Sequence, residues 1–128
     1  MPAQSQSTAA IVYKICRQEE WRGARDDVDY AGSADDQRDG FIHLSASPQL
    51  AATLARHFDG QTDLVLIAFA SADLGPALRW EVSRGGELFP HVYGTLPVGR
   101  ALHTWTIGLH KDGTHVLPDL LNLEPPRA

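Results

Sequence analysis

The stretch Leu64–Ala70, with the sequence LVLIAFA, is the longest run of apolar residues in the chain. A strand with one solvated face would alternate apolar and polar residues, whereas this run offers apolar side chains to both faces. It therefore predicts a central β-strand covered on both sides. Weaker strand patterns lie around it, at residues 11–15, 41–44, 78–82 and 102–109.

Two helix patterns precede the central strand. Residues 18–25 carry one tryptophan among polar side chains, which is typical of a short amphipathic helix. Ser47 and Pro48 suit a helix start, with serine as N-cap and proline at the first helical position, and apolar residues follow at intervals of four. Between the two patterns, residues 26–40 are acidic and lack a clear period, which predicts a surface loop.

The order of these patterns bounds the fold class. The chain has 128 residues, about one domain's worth, and this length can bury a core without disulfides or metal. Early helices and late strands predict a single α+β domain over residues 9–121, with loose tails at 1–8 and 122–128.

Charge and cysteine content narrow the function classes. The formal charge is −5, which argues against duplex nucleic acid as a partner. A small anionic ligand is compatible with it, since a few arginines can form a local positive pocket. The lone Cys16 lies in a predicted strand and is expected to be a small buried residue. The polar start and the lack of a membrane-length apolar stretch predict a cytoplasmic location without a membrane partner.

The first site-like segment runs from Asp39 to Ser45, with the sequence DGFIHLS. On a strand, His43 points away from its apolar neighbours, and Ser45 shares its face. The strand leads into a helix start, where backbone N–H groups can meet an anion. A structural interpretation is equally open: a core histidine bonded to the backbone, and a serine that caps the helix.

The second segment runs from Arg79 to Tyr93 and gathers arginines, glutamates, a histidine and aromatic residues around two glycines. This mixture suits a small-molecule pocket, because arginine grips phosphate and aromatic rings stack on a base or nicotinamide. If the stretch is extended, His91 and Tyr93 share a face. The alternative is a solvated loop with aromatic residues packed beneath it.

Four motifs together resemble the bacterial domain of unknown function 952 family. They are GFIHLS at Gly40–Ser45, LARHF at Leu54–Phe58, RWE at Arg79–Glu81 and LFPHVYG at Leu88–Gly94, and the resemblance extends over about residues 10–118. It implies an ADP-ribosyltransferase-like fold, a split pair of small β-sheets with two short helices in the N-terminal half, which grips NAD in a cleft. The HLS segment is also similar to a strand of RNA 2′-phosphotransferases, which use NAD on that fold.

The resemblance implies roles for individual residues. His43 would hold a ribose or a phosphate, His91 would line the nicotinamide pocket, and Glu81 would orient a hydroxyl or a nucleophile. These three are the candidate catalytic residues. The candidate ligand-binding residues are Ser45, Arg79, Trp80, Arg84, Phe89 and Tyr93.

Three function classes follow as expectations. The first is an NAD-dependent ADP-ribosyl or phosphoryl transferase, or a hydrolase of a nucleotide-like ligand, with NAD as its cofactor. The second is a non-catalytic module that binds a small metabolite or peptide. The third, a metal-dependent enzyme, would need His43, His91 and Glu81 to converge, and no short metal-ligand spacing in the sequence supports it. The sequence predicts no oligomeric state.

Overall fold

The apolar run at residues 64–70 forms strand β3 (Leu64–Ala70), the middle strand of the first sheet. β3 pairs antiparallel with β1 (Ile11–Arg17) on one side and with β6 (His103–Ile107) on the other. Its first six residues are buried, so apolar side chains are covered on both faces. The prediction of a central, doubly covered strand is confirmed.

The computed structural model describes residues 9–24 and 28–120. The predicted tails at 1–8 and 122–128 lie outside the described residues, as do residues 25–27. The described residues form an α+β domain with two three-stranded antiparallel sheets and few helices.

The second sheet carries the site-like segments. Its strand order is β2 (Ile42–His43), β5 (Leu88–Val92) and β4 (Leu78–Val82), all antiparallel neighbours. The stretch around His91 is therefore a middle strand and not a solvated loop. The two sheets meet where Tyr13 and Ser45 exchange two backbone hydrogen bonds of 2.8 and 2.9 Å.

The helices are short, and they flank the sheets. They are α1 (Gln18–Arg22), α2 (Ala34–Asp39), α3 (Leu50–His57) and α4 (Ser71–Leu74), with 3-10 turns at Ser47–Gln49, Gly75–Ala77, Arg84–Gly86 and Val98–Arg100. Leu50 and Leu54 of α3 are buried against the first sheet, as their spacing predicted. In residues 9–24 and 28–120 no helix is long and apolar enough to cross a membrane.

The prediction of a loop over residues 26–40 is wrong for its second half. Helix α2 begins there because Ser33 Oγ accepts the Asp36 N–H at 3.2 Å, while Asp36 Oδ2 accepts the Ser33 N–H at 2.9 Å. Gly40 ends the helix in the left-handed conformation, with φ of 88°. This capping box and glycine end, rather than an apolar period, produce the helix.

The predicted start of the third helix also needs correction. Ser47 is the first residue of a 3-10 turn, and α3 itself begins at Leu50. The backbone N–H of Ala46 donates to Gln49 Oε1 at 2.9 Å, so a glutamine three residues on performs the local capping. Gln49 Nε2 also donates to the Leu88 carbonyl at 2.7 Å, which ties this turn to β5.

Candidate functional site

The register of the second sheet places the segment from Asp39 to Ser45 beside the segment from Arg79 to Tyr93. His43 on β2 lies directly opposite His91 on β5, and Arg79 on β4 lies opposite His91 from the other side. The centroids of the two imidazole rings are 5.5 Å apart. A small ligand can touch both rings at this separation.

Strand alternation decides which neighbours share this face. Because side chains alternate along a strand, Glu81 and Tyr93 lie on the same face as the two histidines. Trp80 lies on the opposite face and packs against the core cluster that contains Ile42 and Val92. The structure therefore does not bring Trp80 to the other candidate residues.

A buried carboxylate fixes His43 from behind. Asp36 accepts hydrogen bonds at Oδ1 from His43 Nδ1 (2.6 Å) and the His43 backbone N–H (3.1 Å). At Oδ2 it accepts from Lys14 Nζ (2.7 Å) and the Ser33 N–H. Lys14 Nζ also donates to the His43 carbonyl at 3.1 Å. Lys14 and Asp36 are 4% and 2% exposed, so this is a buried ion pair.

The environment of Asp36 keeps it ionised. Burial acts to raise its pKa, but the hydrogen bond from His43 and the charge of Lys14 outweigh burial and hold the pKa well below its ordinary value. At the other end of the ring, His43 Nε2 lies 3.0 Å from Asp39 Oδ2. The hydrogen bond from Arg38 is the main cause that lowers the pKa of Asp39.

His91 has a different set of partners. Its Nδ1 lies 2.8 Å from Glu81 Oε1, and the Tyr93 hydroxyl donates to the same oxygen at 2.8 Å. The hydrogen bond with His91 is the largest cause that lowers the pKa of Glu81, and the hydrogen bond from Tyr93 is the second. The bond to Glu81 in turn raises the pKa of Tyr93. Within the described part of the chain, the ring of His91 makes its hydrogen bond at Nδ1 and makes none at Nε2.

Phe41 and Arg79 contact the rings of His91 and its neighbours. Phe41 stacks on His91 with a centroid distance of 4.2 Å, and its ring also contacts His43 at 4.7 Å and Tyr93 at 5.3 Å. The guanidinium of Arg79 lies over the Tyr93 ring, 5.1 Å from its centroid. These contacts fix the orientation of the rings.

A cavity of about 370 Å³ opens beside the histidines. Four candidate residues line it: His43, Ser45, Phe89 and His91. Ser45 Oγ lies 3.2 Å from Thr53 Oγ1, a residue of α3 that also lines the cavity.

The other candidate residues lie elsewhere. Arg79, Glu81 and Tyr93 are not among the described residues that line the cavity. Arg79 is the strand partner of His91, Glu81 is hydrogen-bonded to His91, and Tyr93 donates to Glu81. The side chain of Arg84 is outside the described part of the structure.

The charges on the cavity wall are largely compensated. Lys14 is paired with Asp36, and Arg38 donates to Asp39 at 3.1 Å. Arg17 forms an ion pair with Glu19. An anionic group that enters the cavity must therefore compete with carboxylates for these cations.

Sequence reasoning missed several residues of this site. Lys14 and Asp36 are the most consequential, since they fix His43 from two other elements. A signal for Asp36 existed in the spacing of Ser33 and Asp36, which is that of a capping box. No local signal marks Lys14, because a lysine in an apolar strand pairs with a partner 22 residues away. In residues 9–24 and 28–120 no group of three His, Cys, Asp or Glu side chains is arranged to hold a metal ion.

The sequence matches a protein family and solved structures. The model of the family described as "Protein of unknown function (DUF952)" matches residues 15–104. The crystal structure of protein CC0527 from Caulobacter crescentus has 42% sequence identity and a TM-score of 0.79, and the match covers 88% of this chain and 96% of that one. The solution NMR structure of CC0527 has 42% identity and a TM-score of 0.74, over 89% and 96%. No curated protein matched the chain.

The family match covers all the motifs from which the resemblance was drawn, and it includes both histidines, Asp36 and every strand of the second sheet, while Lys14 lies one residue before it. Together with the identity to CC0527, it establishes that the chain belongs to the DUF952 family.

Proposed function

We propose that the chain is an enzyme that binds a nucleotide-like ligand in the cavity and transfers a ribosyl or phosphoryl group, with His91 as its acid–base residue. The observation that carries the proposal is the His91–Glu81 dyad. A carboxylate holds Nδ1 at 2.8 Å, and the ring lines the cavity while only 5% exposed. A histidine fixed at one nitrogen and open at the other is suited to proton transfer.

The size of the cavity supports a small ligand. A volume of about 370 Å³ falls at the lower end of the range of small-molecule pockets, roughly 300–1,000 Å³. It is suited to a mononucleotide-sized part of a ligand such as NAD. Phe89 on the lining offers an aromatic surface for a base or nicotinamide ring.

The ADP-ribosyltransferase-like fold that the family resemblance implies favours NAD as the donor substrate. In that reaction the bond between C1′ of the ribose and the nicotinamide nitrogen breaks, and an acceptor hydroxyl or water forms a new bond to C1′. The acceptor proton passes to His91 Nε2, and nicotinamide leaves as a neutral molecule. Glu81 stabilises the imidazolium that results, and positioning of the reactants supplies much of the rate gain.

Titration of the ¹⁵N-labelled protein with NAD, ADP-ribose and nucleotide 2′-phosphates tests binding. We expect chemical-shift changes at His43, His91 and Tyr93, and product formation from at least one donor. The variant His91→Ala should lose turnover, whereas His110→Ala, an exposed residue after β6, should retain it. If millimolar ligand leaves the three residues unperturbed, the proposal is refuted.

A second candidate is a binding module without catalysis, and one observation favours it. Each lysine and arginine that lines the cavity in the described residues, Lys14, Arg17 and Arg38, is already paired with a carboxylate, so the positive charges of this wall are satisfied without a ligand. Such a module predicts thermal stabilisation by ligand with no product. A ligand at 100 times its Kd would add about 2.7 kcal/mol to the free energy of unfolding. Detection of any reaction product decides against it.

A further inference from the structure

The two histidines of the site differ in how many of their ring nitrogens face a carboxylate. His43 Nδ1 lies 2.6 Å from Asp36 Oδ1, and His43 Nε2 lies 3.0 Å from Asp39 Oδ2. An ionised carboxylate only accepts hydrogen bonds, whereas a neutral imidazole has one N–H donor and one bare nitrogen. The contact with Asp36 is a hydrogen bond and the contact with Asp39 is an ion-pair contact, and the two are favourable together when both nitrogens of His43 carry a proton.

The remaining charged groups around His43 fit this arrangement. Lys14 from β1 donates to Asp36 Oδ2 and to the His43 carbonyl, so it leaves Asp36 Oδ1 to the ring. Arg38 from α2 donates to the other oxygen of Asp39, Oδ1. From β5 the ring of His91 lies edge-on, at 5.5 Å. Each carboxylate that faces His43 is paired with a cation at one oxygen and lies close to the imidazole at the other oxygen.

His91 meets a carboxylate at one nitrogen only. Glu81 Oε1 accepts from both His91 Nδ1 and the Tyr93 hydroxyl, so the proton of the neutral ring belongs on Nδ1. Among the described residues the hydrogen bond of this ring is made at Nδ1 and not at Nε2, and the ring lines the cavity. Nε2 is therefore a bare nitrogen that can accept a proton.

We propose that the two histidines have divided roles. His43 carries a proton on both nitrogens and clamps helix α2 to strand β2 through Asp36 and Asp39, whereas His91 presents an unprotonated Nε2 to the cavity. Asp39 is thus a positioning residue that keeps His43 out of proton transfer. The acid–base use of His91 rests on the proposed function, but the proton arrangement of the two rings does not.

Long-range ¹H–¹⁵N NMR of the imidazole side chains tests this in the ligand-free protein at pH 7. We expect two N–H-type nitrogen signals for His43, and one N–H-type and one bare-nitrogen signal for His91, with the proton on Nδ1. A bare-nitrogen signal from His43 at pH 7 would overturn the proposal, and so would a proton on Nε2 of neutral His91.

Variants separate the contributions of the carboxylates. Asp39→Ala removes a half-exposed partner, so the fold should persist, and His43 should gain a bare-nitrogen signal at Nε2 while His91 is unchanged. Glu81→Ala is the matched control: it should alter the His91 signals and leave those of His43. If Asp39→Ala leaves both His43 nitrogens protonated at pH 7, the clamp is refuted. These measurements use no ligand, so a failure to bind nucleotides would refute the proposed function alone.

Discussion

Replacing Asp36 with asparagine should be the most damaging conservative change in the site. Asp36 accepts four hydrogen bonds, two at each oxygen. In asparagine one oxygen becomes an NH₂ group, which then faces donors in either orientation of the amide. Lys14, whose side chain is 5% exposed, would be left as a buried and unpaired cation.

The magnitude follows from the class of interaction that is broken. Removing one partner of a buried ion pair typically costs about 3–5 kcal/mol of the free energy of unfolding. For a domain of this size, that is a fall in Tm of roughly 12–20 °C, at about 4 °C per kcal/mol. Chemical and thermal unfolding followed by circular dichroism would measure both quantities.

Two further variants make the test specific. Asp35→Asn is the matched control, because Asp35 pairs with Arg38 at the surface and its loss should cost at most ~1 kcal/mol. The double variant Lys14→Met with Asp36→Asn lacks the buried, unpaired cation of Lys14, so the double variant should be more stable than the single variant Asp36→Asn. The reasoning is refuted if Asp36→Asn costs less than about 1 kcal/mol, or if the double variant recovers nothing.

The same residue predicts a pH dependence. The pKa of Asp36 in the folded state lies below its ordinary value of 3.8. A depressed pKa contributes stability that is present above the unfolded value and is lost as the pH falls through the folded value. The stability gap between the natural chain and Asp36→Asn should therefore be constant near pH 7 and should shrink below about pH 4. A gap that does not shrink in acid would contradict the assignment.

Three other predictions concern separate features of the molecule. Gly32→Ala should destabilise the protein more than Gly40→Ala, as denaturant unfolding would measure. Both glycines have positive φ, but a Cβ at Gly32 would lie 2.8 Å from the Cβ of Asp36, while the space at Gly40 is open. Cys16, which is buried and has a pKa raised to about 11, should react with thiol reagents at pH 8 only after unfolding. Glu81→Ala should lower the pKa of Tyr93 toward its ordinary value, as ultraviolet titration of the phenol would show; an unchanged titration would mean that the hydrogen bond is absent in solution.

The sequence predicted those elements of the fold in which one repeating pattern of apolar residues dominates. The run at Leu64–Ala70 predicted a doubly covered strand because no polar residue interrupts it, and Leu78–Val82 has the bounds that its alternation predicted. Helix α2 was missed since it has no apolar face, and capping at Ser33 and Gly40 defines it instead. Residues 88–92 were predicted only as a stretch that could be extended, and the structure makes them a middle strand although Pro90 cannot donate a hydrogen bond there.

The sequence predicted individual residues of the candidate site but not how they are arranged in space. His43, Ser45, Phe89 and His91 were named from their motifs, and all four line one cavity. Trp80 was grouped with them because it is close in sequence, but strand alternation turns it toward the core.

The sequence by itself determined the α+β class, the central strand and the two histidine motifs, since these depend on local period and composition. Only the tertiary structure decided that His43 and His91 face each other, because that depends on the pairing of β2 with β5. It also decided that Lys14 and Asp36 form a buried ion pair behind one histidine. Strand register and burial depend on residues that are far apart in the sequence. For that reason only the tertiary structure shows that His43 and His91 have different carboxylate partners.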